Sequence, residues 1–396
     1  MAHHAQIGIP KIIYRKFASI FQLDNNGSLP QLQKADEGFK QRLSDKGSYF
    51  KDNIKASRGI FKFLEGIQLD EYFLVFGDES PISFSAENMV IITNYLYELN
   101  GKSVRYKPNE SLLESFHVIG YAQGDRKIYI GESDKTKRVC RFCGKTYKDT
   151  KYQKKAHAIS EALGNNTIFC NEECDVCNER FGETLEMELY RQFGILYSLY
   201  GVKGKKGKRK YVDENISISD EGVQIKINSE VPSKEELTQS GFSFNVDGGL
   251  SYIPQNIYKC LCKFAISVID KKYLCELQKT IDWISSDEML SKVPYVYIRN
   301  CYNENHPMIA IYTSKESSYP DRTFIARIFL LNIELVYIFP YRGDVLIENG
   351  ASDISDFLEL YWGQDKTTIE SYSKSDYSGV DSIANQMAFK INPFCN

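Results

Sequence analysis

Two cysteine pairs of the form C-x-x-C stand in the middle of this chain, Cys140 with Cys143 and Cys174 with Cys177, separated by thirty residues. Two intervening residues make a tight turn that lets both sulfurs of a pair reach one ion. Two such turns complete a tetrahedral thiolate shell, for which Zn2+ is the commonest occupant. Four thiolates leave no position for water, so the ion would be structural. Cys170 lies four residues before Cys174 and could compete as a ligand; Cys174 is preferred because it completes the second pair. The gap also holds a lone histidine, His157, in the string AHAISEALGN, and the second pair runs straight into CNERFG.

This order of signals, C-x-x-C, then a histidine followed closely by EALGN, then C-x-x-C-N-x-x-F-G, resembles the HNH endonuclease family, in particular the branch with a structural four-cysteine zinc site. The resemblance covers about residues 138–200. It implies a ββα-metal fold, in which a two-stranded hairpin and a helix frame a catalytic divalent ion, Mg2+ or Mn2+. His157 matches the family's general base, a role suited to an imidazole with an ordinary pKa of about 6.5. Asn178 matches the last motif position, whose side-chain oxygen helps to hold the catalytic ion.

Two positions depart from the pattern. The acidic residue that usually precedes the histidine is Ala156, and the middle Asn has no counterpart in register, where Phe169 stands; Asn166 and Asn171 lie nearby but off register. A replacement carboxylate could come from Glu161, Glu172, Glu173 or Glu186. Glu186 is the least suited if it shares a helix with Asn178, because eight residues at about 1.5 Å rise put the two roughly 12 Å apart.

The formal net charge of −3 means that any nucleic-acid surface must be local. Lys203, Lys205, Lys206, Lys208, Arg209 and Lys210 form such a patch, interleaved with glycines. Phosphate backbones attract segments of this kind, although a solvated linker would read the same way. The expected function is metal-dependent hydrolysis of phosphodiester bonds, with DNA favoured as the partner because the resembled family usually cuts it. Bacterial, antiviral defence would suit such an arrangement. The competing reading is a catalytically inactive, zinc-stabilised nucleic-acid-binding or scaffold protein. A third is a C-terminal domain that binds a small ligand or partner to switch the nuclease; no phosphate-cradling glycine motif supports a nucleotide there.

Several elements must position these residues. A helix is expected after the second pair, with Phe181, Leu185, Leu189, Phe193 and Leu196 on one face and with Cys177 and Asn178 at its start. Upstream, Ser85 and Asn100-Gly101 bracket a helix from Ala86 to Leu99. Downstream, Ile257–Ile269 reads as a one-sided amphipathic helix, and segments 295–298, 308–313, 324–331 and 333–339 read as strands. The fold class is α+β and multidomain: an N-terminal region of unknown role over 1–130, the HNH-like zinc module with its basic tail over 131–212, and a C-terminal α+β domain over 213–396 with a mostly antiparallel sheet. No secretory signal is visible, and no stretch approaches the roughly 18 apolar residues needed to cross a bilayer. The chain is therefore expected in the cytoplasm, where the ten cysteines stay reduced rather than form five disulfides.

Overall fold

The computed structural model describes residues 18–21, 31–53, 58–75, 86–101, 110–124, 127–201, 203–204, 207–208, 211–212, 216–219, 222–225, 242–247, 250–301, 307–316, 320–330, 332–348, 351–363, 365–384 and 386–391. The chain divides into two compact units, Met1–Pro108 and Asn109–Asn396. The boundaries expected at 130/131 and 212/213 both fall inside the second.

The first unit contains β1 (Gln31–Lys34), α1 (Glu37–Asn53), α2 (Arg58–Gly66), β2 (Tyr72–Val75) and α3 (Ala86–Leu99). β1 and β2 pair antiparallel, and a small core gathers Phe21, Phe39, Leu43, Phe50, Phe61 and Leu64. The helix from Ala86 to Leu99 has the expected bounds; its proposed cap Ser85 lies outside the described residues. Asn100 does more than end it. Its amide donates to the Tyr72 carbonyl and its oxygen accepts from the Tyr72 N–H, fastening β2 to the helix end.

In the second unit α4 (Glu110–Ser115) leads into β3 (Phe116–Gln123), and β4 (Ile128–Ile130) follows. β5 (Ile168–Cys170), α5 (Asp175–Glu183) and α6 (Leu185–Leu199) belong to the cysteine-rich region. The single helix expected there is two. The chain breaks at Thr184 (φ −109°, ψ −83°), whose hydroxyl donates to the Arg180 carbonyl and so competes with the helix ladder. Next come the short pair β6 (Lys203–Gly204) and β7 (Gly207–Lys208), then β8 (Tyr211–Val212), β9 (Ile216–Ser219), β10 (Gly222–Ile225) and β11 (Phe242–Asp247).

The remainder carries α7 (Pro254–Val268), α8 (Gln278–Ile284), β12 (Val296–Asn300), β13 (Met308–Ser314), β14 (Phe324–Leu330), β15 (Ile333–Ile338), α9 (Ala351–Trp362), α10 (Lys366–Glu370), β18 (Ser373–Ser375) and β19 (Gln386–Ile391); the turn strands β16 (Tyr341–Arg342) and β17 (Val345–Leu346) lie between β15 and α9. A six-stranded antiparallel sheet runs in the order β18-β12-β15-β14-β13-β3. All four strand segments read from the sequence are in it. β3, which precedes residue 130, supplies one edge beside β13.

Alternation sorts the sheet's two faces. Phe324, Ala326, Ile328, Leu335 and Tyr337 point into the main core with α7. On the other face, Tyr312 and Phe116 meet Phe357 of α9, and Arg327 reaches Tyr361 of the same helix. Glu334 is fully buried on that face between Arg327 and Arg299. The α7 helix departs from the expected one-sided pattern. It is buried all round, including Lys259 and Lys263, because the sheet covers one side and the cysteine-rich module covers the other. Pro254 occupies its first turn, where a missing N–H costs nothing.

Candidate metal centre and active site

The sulfurs of Cys140, Cys143, Cys174 and Cys177 lie within 4.8 Å of one another. The first turn is built by Gly144, whose N–H donates to the Cys140 carbonyl and whose φ of +68° suits glycine. The Cys140 N–H donates in turn to the Lys145 carbonyl. Cys174 is the residue before α5, and its carbonyl accepts the Asn178 N–H. The donors fit zinc by their chemistry. The Cys177 thiol donates a hydrogen bond to the Cys140 sulfur, which pulls the Cys140 thiol down to about 5, while the same hydrogen bond and burial hold Cys177 well above the ordinary thiol value. Burial pushes Cys143 up to about 11. Four thiolates crowded this closely repel one another, and a divalent cation removes that penalty. Cys170 is not in the cage. It sits in β5, and burial pushes its thiol up to about 12.

His157 sits on the extended segment that pairs with β5. The Ala158 N–H donates to the Ile168 carbonyl and the Cys170 N–H to the Ala156 carbonyl, so His157 faces Phe169 as an antiparallel pair. With α5 next in the chain, the order is strand, strand, helix. His157 and Phe169 do not bond to each other's backbone, which brings facing side chains close. Their rings are 4.8 Å apart. Tyr129 stacks on the other side of Phe169 at 5.1 Å, in register across the parallel β4–β5 pair. Three neighbouring strands thus carry an aromatic row that ends on the imidazole, and Phe169 is its middle member rather than a missing Asn.

The asparagine that works in this hairpin is Asn165, which sequence reading passed over. It is fully buried; its amide donates to the Ile159 and Ile168 carbonyls, and its oxygen accepts the Thr167 and Ile168 N–H groups. These four bonds close the loop between the two strands. The turn-like string LGNN was the available signal, but it could not say which Asn turns inward.

The four acidic candidates separate by their partners. Glu172 is buried against Arg141, which also donates to the Ile266 and Ile269 carbonyls at the end of α7. Glu173 and Glu186 both pair with Lys263 of α7, at 3.2 and 2.9 Å. Because the helix breaks at Thr184, Glu186 is not carried along a continuous helix from Asn178, and that estimate of separation does not apply. Glu161 is the one beside the histidine, 3.9 Å from Nδ1, with both side chains about one-fifth to one-quarter exposed. Ser160 positions it by capping the short 3-10 turn Glu161–Leu163. Ala156 points into the core at 2% exposure, so that position offers no ligand.

Asn178 is half-buried in the first turns of α5. Asp175, in the same turn, accepts the Gln153 and Lys154 N–H groups and ties the helix to the segment leading into His157. Of the basic run, Lys203 and Lys208 pair through their backbones in the β6–β7 ladder, whereas Lys205, Lys206, Arg209 and Lys210 lie outside the described residues. No helix among the described residues is long and apolar enough to cross a membrane. No curated protein and no solved structure matches the chain. Residues 140–194, which hold the cage, the histidine hairpin, α5 and the first part of α6, match the family model of the HNH endonuclease.

Proposed function

We propose that the chain is a metal-dependent endonuclease that hydrolyses phosphodiester bonds, with DNA as the favoured substrate. The observation that carries this reading is His157, partly exposed on a hairpin of the cysteine-rich module, with the Glu161 carboxylate 3.9 Å from Nδ1. Such a carboxylate favours the tautomer that carries hydrogen on Nδ1 and leaves Nε2 to take a proton from the attacking water. It also stabilises the imidazolium that results. The Phe169 ring and the hairpin restrict how far the imidazole can turn. Asn178, with an amide oxygen on the adjoining helix, would help to hold Mg2+ or Mn2+. That ion supplies charge stabilisation at the phosphate and at the leaving oxygen. Zn2+ in the four-cysteine cage would hold the hairpin against the helix and take no part in the chemistry.

The test uses the full chain with plasmid, linear DNA and RNA, with Mg2+ or Mn2+, beside Glu161→Gln and Asn178→Ala. Strand cleavage that needs the added ion and falls at least tenfold in each variant is expected, about 1.4 kcal/mol or more of lost transition-state stabilisation. Tight, salt-dependent binding without cleavage of any substrate would replace this reading with the binding protein. Ala156 favours that second reading, since it removes the customary carboxylate.

A further inference from the structure

Lys263 stands in α7, beyond the segment that matches the family, yet its ammonium ends at the candidate general base. Nζ donates to the His157 main-chain carbonyl at 3.2 Å and to Glu186 Oε1 at 2.9 Å, and lies 3.2 Å from Glu173 Oε2. The side chain has no solvent exposure, nor has that of Glu173. Both Glu173 oxygens are buried without a well-aligned hydrogen bond, so this carboxylate holds the ammonium mainly by charge. Burial works against the charge on Lys263, but the two carboxylates outweigh it and hold its pKa above the ordinary lysine value.

The backbone explains why a donor is needed at this point. In the pair that faces His157 to Phe169, the ladder bonds are made by Ala156, Ala158 and their partners. The His157 carbonyl therefore points away from β5, and a carbonyl turned into the interior requires a donor. Lys263 provides one from behind the hairpin. The carbonyl carbon is bonded to the Cα that carries the imidazole, so fixing this peptide fixes the base from which χ1 turns. The two carboxylates, one on the loop after β5 and one on α6, hold the ammonium in place.

We propose that Lys263 is a positioning residue for the phosphodiesterase reaction, and that α7 is the rear wall on which the general base is set. This rests on His157 being that base. The alternative is that Lys263 only neutralises Glu173 and Glu186 for the sake of folding.

The deciding variant is the triple change Lys263→Met, Glu173→Gln, Glu186→Gln in the full chain. It removes all three charges at similar volume, a replacement that folded proteins often accept without loss of stability. About one zinc per chain is expected to remain. The kcat for plasmid cleavage is expected to fall about a hundredfold with KM unchanged, the scale of a displaced catalytic group. In a His157→Ala background the same triple change should cost nothing further, because it acts through His157. Unchanged kcat, or a loss that multiplies with that of His157→Ala, would overturn the proposal. Lys263→Arg, which keeps a buried cation with donors, should retain more kcat than the triple variant; the reverse order also overturns it.

A second readout does not depend on catalysis. In protein labelled with 13C at histidine carbonyls, the His157 signal is identified by its loss in His157→Ala. It should move in the triple variant, and a stationary signal overturns the proposal. A moving signal in a chain that cleaves no substrate leaves Lys263 as the holder of His157 and rejects the nuclease reading instead.

Discussion

Individual side chains carry the module's rigidity. Asn165 satisfies four backbone groups from one buried position, and a truncated side chain would leave several of them unpaired. Asn165→Ala should destabilise the zinc-loaded protein by about 1–3 kcal/mol, the cost of stranding buried polar groups, read from denaturant midpoints. The thiols make a sharper prediction. Cys170→Ala should keep about one zinc per chain, whereas Cys174→Ala should lose it, since only Cys174 stands within the cage. Metal analysis of the two purified variants decides this, and zinc loss on Cys170→Ala would contradict the cage. The cysteines were legible because metal geometry demands a particular spacing. Asn165 was not, because an inward asparagine and a surface turn asparagine look alike in a sequence. Glu161 could be named as one of four acids, but only three-dimensional pairing showed that the other three are occupied by Arg141 and Lys263.

Among the elements, α7 links the sheet to the module. Arg141, inside the first cysteine turn, bonds the last carbonyls of this helix and holds Glu172 with both side chains almost wholly buried. Gly131 packs against the same carboxylate with a φ of +87°, so a Cβ there would stand 2.6 Å from Glu172. Arg141→Met should cost about 3–5 kcal/mol, because the buried Glu172 carboxylate would keep only the exposed Lys271 ammonium, 3.5 Å away, as a partner. Adding Glu172→Gln should restore most of that stability; thermal or chemical unfolding of the two variants, both zinc-loaded, checks the pair. A double variant no better than the single one would show that Glu172 is not what Arg141 protects. The strands of the sheet were readable because β-branched and aromatic runs are short and bounded. The amphipathic reading of α7 failed for a physical reason. Even its two lysines are inside, held by buried acceptors: Lys259 donates to the Ser286 and Glu288 carbonyls, and Lys263 serves His157 and its acids. The break at Thr184 was hidden because the apolar spacing continues across it.

On the scale of the molecule, the second unit has one continuous core that runs from the cysteine cage through α7 to the sheet. Phe181, Leu185, Leu189 and Phe193 of the module bury against partners that lie far along the chain. The matched segment is thus a recognisable sequence unit set within a larger packing unit. A fragment spanning 131–212 should bind zinc weakly and show no cooperative unfolding, whereas one spanning 109–396 should hold its zinc and unfold cooperatively as the full chain does; calorimetry with zinc titration separates these outcomes. The order of motifs along the chain announced the zinc module, but periodicity within 50 residues carries no information about which distant helix will cover it.

The central claim is that His157 is the base of a metal-dependent phosphodiester cleavage, and the most direct measurement is the single-turnover rate of full-length protein with Mg2+ or Mn2+ against its His157→Ala variant at matched zinc content. The prediction is a loss of about a hundredfold or more, in the range of a removed general base, with zinc still near one per chain. Cleavage that persists at the original rate in the variant would contradict the assignment.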